Sequence, residues 1–143
     1  MLKMKNKNIV KILTIENKLI LENVSIADSF FSRLKGLMGK SNIDDNIGLI
    51  IRPCKSIHTF FMKFNIDVIF IDGNSKVVDV YIDLAPWRIS KIYKDAKFVI
   101  EGKSGSFAKL KKSDQIIVKK AWLILVRLFH INRYFIIHLW YNC

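Results

Sequence analysis

Six short apolar runs follow one another between residues 48 and 120: GLIIRP, SIHTFFMKF, VIFIDG, KVVDVYIDL, KFVIEG and QIIVKK. Turn-forming residues separate them, and each run is too short for a stable multi-turn helix. Segments of this length and spacing suit strands, and so many of them in quick succession argue for a sandwich or a barrel. DGNS at 72–75 joins two runs as a hairpin turn would. KVVDVYIDL alternates, with Val78, Val80, Ile82 and Leu84 on one side and Asp79 and Asp83 on the other. That spacing predicts a half-buried antiparallel strand.

Upstream, residues 8–15 and 18–26 read as two further strands joined by the polar Glu16–Asn17 turn. The period then changes. Phe30, Leu34, Leu37 and Met38 fall at helical spacing, so a short helix is expected over about residues 28–38. Asp28 is its expected N-cap, and Gly39 or the following Ser41–Asn42 its end. Gly36 inside this segment suggests either a helix already loosening or close approach of another backbone.

At 143 residues the chain suits one domain, which these runs place at residues 8–118. Residues 121–143 differ in kind. They are apolar and long enough to span a bilayer, but Arg127, His130, Asn132, Arg133 and His138 interrupt them. The insertion cost of these groups outweighs the gain from the apolar residues, which argues against an independent membrane span. On a helical wheel, Arg127, His130, Tyr134 and His138 form a polar stripe opposite a broad apolar side. An amphipathic tail lying on an anionic membrane surface is therefore expected, with the preceding domain folding without it. The N-terminus is basic but lacks the continuous apolar run of a signal peptide. Only two cysteines occur, Cys54 and Cys143, which is no disulfide framework. A cytoplasmic protein is the expectation.

The formal net charge is +12, yet only five of the 24 basic residues are Arg. Sequence-specific nucleic-acid readers lean on Arg forks. Lys, Ile and Asn all have AT-rich codons, so genome composition alone is able to produce their abundance without any selected partner. Nucleic acid is thus a weak expectation.

The stretch CKSIHTFFMKF carries Cys54, His58 and Met62, four residues apart. On a strand they share a face, but four residues extend roughly 13 Å, while metal–ligand bonds are about 2.0–2.3 Å. The trio does not make one metal site, and no metal or cofactor is expected. The stretch reads instead as a central strand buried on both faces. Phe61, Met62, Ile69 and Ile71 then belong to the core, and Phe61→Ala should cost about 3–5 kcal/mol. His58 is either a core histidine or a polar group at the foot of a cleft. Asp67 lies among Ile66, Val68 and Ile69. It is either a strand-start acceptor of backbone N–H groups or a pocket acid. Glu101 ends an apolar strand before a Gly loop. Trp87 and Arg88 follow Pro86 at a corner where an aromatic ring and a guanidinium can frame an anion. Phosphate loops, dinucleotide fingerprints, nucleophile elbows and paired-Cys zinc patterns are absent from the sequence.

The stretches SRLKGLMG, GLIIRPCKSIHTFFMKFNIDVIFID, VVDVYIDLAPWRIS and AKFVIEGKSGSFAKLKKSDQIIV resemble, in the same order, the domain of unknown function family 192, also called uncharacterised protein family 0127. The resemblance covers about residues 12–118. It implies a compact, mainly β sandwich or barrel with a short helix, and no established activity. The family's recurrent positions fall on Arg33, Gly36, Leu37, Met38, His58, Thr59, Phe61, Met62, Asp67, Asp72, Pro86, Trp87, Glu101 and Gly105. The chain departs from the pattern at Ser113, where the family has a Gly before the last strand, and this predicts strain in a tight turn there.

Together these features point to a non-catalytic β domain binding a small ligand or a protein partner. The expected cleft lies near His58, Asp67, Arg88 and Glu101, with Met62 and Trp87 in its lining. Two alternatives are a hydrolase using His58 with Asp67 or Glu101, and a basic barrel binding nucleic acid non-specifically.

Overall fold

The computed structural model describes residues 9–120. The expectations for the C-terminal tail fall outside the described residues. Within them the chain forms seven strands and one short helix. The strands are β1 (Val10–Thr14), β2 (Leu19–Ala27), β3 (Ile47–Ile51), β4 (Ile66–Ile71), β5 (Val77–Leu84), β6 (Phe98–Lys103) and β7 (Ile116–Lys120), and the helix α1 (Phe30–Lys35) lies between β2 and β3. Among the described residues, no helix is long and apolar enough to cross a membrane.

One sheet holds all seven strands in the order β5-β4-β6-β3-β2-β1-β7. Every pairing is antiparallel except β2 with β3, which α1 connects as a crossover. The sheet curls until its two edges approach. Val77 N–H donates to the Asp114 carbonyl and Ser113 N–H to the Val77 carbonyl, each at 2.8 Å, and Lys76 bridges Gln115. The result is a mainly β half-barrel with one short helix, as the run of short apolar segments predicts. The two expected hairpins are both present, β1–β2 and β4–β5.

Curling divides the apolar residues into two cores. The inner face gathers Ile12, Leu21, Val24, Ile50, Ile69, Ile71, Val77, Ile100 and Ile116 from all seven strands, with Phe107 plugging the interior. The outer face of β4 and β6 presents Ile66, Val68, Phe70 and Val99, covered by Leu37, Ile43, Ile57, Met62 and Ala96. β4 is buried along its whole length because it serves both cores. Gly48 permits close packing near the centre. A Cβ there would sit 2.7 Å from Leu21 Cδ1 and 2.9 Å from the Glu101 carbonyl oxygen.

Four local expectations need correction. First, SIHTFFMKF is not a strand. It is a loop that pairs with the segment between β5 and β6, and only His58 and Ile89 form a ladder bridge. Ser90 N–H donates to the Ile57 carbonyl, Thr59 N–H to that of Arg88, and Met62 N–H back to that of Thr59. A turn therefore sits in the middle of the run. Ile57, Thr59 and Met62 point inward, at spacings of two and three, and Phe61 turns outward, 59% exposed. Met62, Ile69 and Ile71 are buried as expected, and Phe61 is not.

Second, the N-cap of α1 is Ser29 and not Asp28. Ser29 Oγ accepts from Ser32 N–H at 3.2 Å, and Ser32 Oγ accepts in return from Ser29 N–H at 3.1 Å. Third, the helix ends at Gly36, whose φ of +46° no longer fits a helix. It is too short to bury a face: Phe30, Phe31 and Leu34 are exposed, and only Leu37 beyond it enters the core. Fourth, the alternation in β5 is broken by two register shifts against β4. Val77 and Val80 reach the inner core, whereas Val78, Tyr81 and Leu84 reach the outer one, and Ile82 is exposed. A bulge moves successive side chains to the other face, which defeats period-two reading. Ser113 has φ +75°, so a non-glycine residue does hold a left-handed turn there.

Candidate functional site

The outer core is not sealed. Between α1 and the β3–β4 loop lies a cleft of about 340 Å³. Phe30, Arg33 and Leu34 form one wall, Gly36 to Met38 the next, and Pro53 to His58 the facing one, with Met62 and Glu101 deeper. Each wall follows from local sequence. Gly36 turns the chain off the helix with a φ of +46°, which favours glycine, and its Cα lies beside the Glu101 carboxyl: a Cβ there would meet Glu101 Oε2 at an ordinary contact distance of 3.9 Å.

Glu101 is central in β6, opposite Leu49 of β3 and Val68 of β4. Its side chain emerges on the outer face among aliphatic neighbours and is only 3% exposed. Oε2 is buried with no hydrogen-bond partner among the described residues. Burial in these surroundings pushes its pKa up to about 8, so the carboxyl keeps its proton at neutral pH. A buried polar atom without a partner costs on the order of 1–3 kcal/mol. Burial also raises the Cys54 thiol, and nearby Glu101 adds to the effect. The thiol donates to the Ser56 carbonyl at 3.1 Å.

The structure divides the residues expected at the site. His58, Met62 and Glu101 do meet in this cleft. Asp67 does not line it. Asp67 Oδ1 accepts from Asp83 N–H at 2.9 Å, and Oδ2 from the N–H groups of Gly105 at 3.0 Å and Phe107 at 2.9 Å. It is fully buried and pins the β6–β7 loop, which is the acceptor role weighed for it. Arg88 and Trp87 are exposed and lie outside the cleft. Arg88 is held by its backbone: its N–H donates to Thr59 Oγ1 at 2.9 Å and its carbonyl accepts from Thr59 N–H at 2.9 Å. The single cleft expected to join His58, Asp67, Arg88 and Glu101 is therefore not formed, because β4 alternates Asp67 to the inner face.

The hydrolase arrangement also lacks its geometry. His58 Nδ1 accepts from Phe60 N–H at 3.3 Å. Among the described residues, no hydrogen bond joins His58 to Asp67 or Glu101, and no cluster of three or more His, Cys, Asp or Glu side chains could hold a metal ion.

Sequence reasoning passed over Arg33, Lys35 and Lys55 as site residues, though all three line the cleft. A signal for the site was present in Gly36, a helix-interrupting glycine whose φ of +46° turns the chain beside the cleft. An aromatic ladder was missed as well. His58 stacks on Phe60 at 5.1 Å between centroids, Phe60 lies 5.8 Å from Trp87, and Trp87 4.8 Å from Phe61. Phe61 and Trp87 have φ of +60° and +63°. Bulky side chains rarely occupy that region.

A larger hollow of about 580 Å³ lies between the β1–β2 turn and the 105–115 loop. It contains no buried polar atom lacking a partner, so the smaller cleft is the stronger candidate.

Comparison with known proteins agrees with the fold. A solved structure of a protein of unknown function from Novosphingobium aromaticivorans superimposes with a TM-score of 0.67 at 17% identity, covering 82% of this chain and 90% of that one. A UPF0127 protein of Pyrococcus horikoshii is 47% identical over 85 residues, 57% of this chain and 73% of that protein. One from Thermococcus sibiricus is 43% identical over 82 residues, 54% of this chain and 53% of that protein, so the match spans about half the length of that relative. The family model DUF192, described as "Uncharacterized ACR", matches residues 11–118. The chain belongs to this DUF192, or UPF0127, family.

Proposed function

We propose that this β domain is a non-catalytic binding module that holds a small ligand in the cleft between α1 and the β3–β4 loop. The observation that carries the reading is Glu101 Oε2, buried at the floor of the cleft without a partner. Folded proteins rarely leave such an atom unsatisfied unless something else completes it. The walls supply apolar contact through Phe30, Leu34, Leu37 and Met62, and a concave apolar surface with polar groups that fix orientation is the usual form of a small-molecule pocket.

A fragment screen read by amide chemical shifts tests this. Hits should cluster on residues 33–38, 54–58 and 101, and Glu101→Leu should abolish them while the rest of the spectrum stays native. A screen whose hits scatter over the surface, or survive in Glu101→Leu, would remove the cleft from consideration.

A protein partner is the second reading, favoured by the outward-held Phe61 and Trp87 beside exposed Ile89 and Ile92. Strained, solvent-facing aromatic residues are costly for a domain that has no use for them. If a partner docks there, Trp87→Ser should abolish its binding without lowering the melting temperature.

A further inference from the structure

The charged residues that line the cleft are one-sided, although Arg33 Nη1 also donates to the Asp28 carbonyl at 2.7 Å. Arg33 and Lys35 come from α1, and Lys55 from the β3–β4 loop. Cys54 and His58 are the other titratable groups on that loop facing the cleft. The neighbours of Glu101 within the sheet, Leu49 and Val68, bring no charge. Among the described residues, Glu101 is thus the sole acid lining a cleft that three cationic residues also line.

We infer that the cleft takes a small amphipathic ligand bearing an oxyanion, a carboxylate being the simplest, whose oxygen accepts a hydrogen bond from Glu101 while its charge faces Arg33, Lys35 and Lys55. The inference rests on the cleft being a binding site. An ammonium ligand fits less well. It must pass three cations, and it would have to be met by an ionised Glu101 with no second acid beside it. An oxyanion needs a donor at the floor and cations at the walls, and both are present. A carboxylic acid kept neutral by an apolar site is a strong donor to such an oxygen. The apolar part of the ligand would lie along Phe30, Leu34 and Met62.

The scheme makes binding depend on the Glu101 proton. Burial holds that proton until about pH 8, so affinity should fall by up to roughly tenfold for each pH unit above that point. Benzoate and benzylamine, similar in shape and opposite in charge, are suitable probes. Each is titrated against the full chain by amide chemical shifts at about pH 6.5 and about pH 9, in the native protein, in Glu101→Gln and in His58→Asn.

Benzoate should shift the cleft amides at the lower pH and bind roughly tenfold more weakly at the higher one. Glu101→Gln keeps a donor N–H that does not titrate, so it should bind benzoate at both pH values. His58→Asn should keep the native pH profile. A pH dependence that disappears in His58→Asn and persists in Glu101→Gln would assign it to His58 and overturn the role given to Glu101. Binding of benzylamine without benzoate would overturn the oxyanion class and leave the cleft as a site. Silence of the cleft amides toward both probes would overturn the site as well. An equal loss with pH in Glu101→Gln would show that the lysines, and not Glu101, set the dependence.

Discussion

Thr59 and Arg88 hold the two outer loops together through a reciprocal pair of hydrogen bonds. Thr59 N–H donates to the Arg88 carbonyl, and Arg88 N–H donates to Thr59 Oγ1, both at 2.9 Å. Thr59 Oγ1 donates in turn to the Ala85 carbonyl at 2.7 Å. Thr59 is fully buried, so one hydroxyl sets the position of the loop that walls the cleft and of the corner that carries Trp87. Thr59→Val keeps the shape and removes both side-chain bonds. It should cost about 2 kcal/mol in urea melts. A loss below about 0.5 kcal/mol would mean that the backbone bonds alone fix the loop pair.

Phe61 looks like a core residue in sequence and is a surface residue in the structure. Its ring packs edge-on against Trp87 and little else covers it. Phe61→Ala should therefore cost less than about 1 kcal/mol, well below the 3–5 kcal/mol of a buried Phe. Phe70, fully buried and packed 4.4 Å from Tyr93 between centroids, is the contrasting case. Phe70→Ala should cost about 3–5 kcal/mol. Similar losses at the two positions would place Phe61 back inside the core.

These two phenylalanines show what is legible in the sequence. Phe70 lies in an aliphatic run that pairs on both sides, and its burial follows from local pattern alone. Phe61 lies in a run that is also rich in apolar residues, SIHTFFMKF. Its direction depends on Thr59 meeting Ala85 and Arg88, residues more than twenty positions away. Propensity gives way to tertiary contact there. The acids divide in the same manner. Asp67 and Glu101 both stand among aliphatic residues, and both sit in central strands. Strand register puts them on opposite faces, and the loops decide what meets them there: the amides of Gly105 and Phe107 reach Asp67, and no donor among the described residues reaches Glu101 Oε2. A short helix was legible from its period, but its end was open between a loosening at Gly36 and a stop at Gly39 or Ser41–Asn42, since Leu37 and Met38 continue the helical spacing.

Asp67→Asn tests the structural role of the first acid. The carboxylate accepts three backbone N–H groups, and an amide offers one oxygen and a donor that would face a donor. The substitution should cost about 2–4 kcal/mol and loosen the β6–β7 loop. Hydrogen exchange at Gly105 and Phe107 should accelerate before that of β4. Unchanged exchange at these two amides would show that other contacts hold the loop.

Glu101 should give a pH signature, a stability that falls as pH rises. Its unfolded pKa is near 4.5 and its folded one about 8. Below the lower value both states are protonated, and the folded state bears no ionisation cost. Between the two values the unfolded chain ionises while the folded chain keeps its proton, so unfolding becomes progressively easier. Above about pH 8 the folded carboxyl ionises in place and the loss is complete. The full effect is on the order of 5 kcal/mol. Glu101→Gln carries no proton to lose. Its stability should match the native protein near pH 4.5 and exceed it by a few kcal/mol near pH 8. Urea melts of both proteins across this window measure the difference directly. Parallel curves would mean that Glu101 finds a partner or water in solution, and with that the unsatisfied floor of the cleft would be gone.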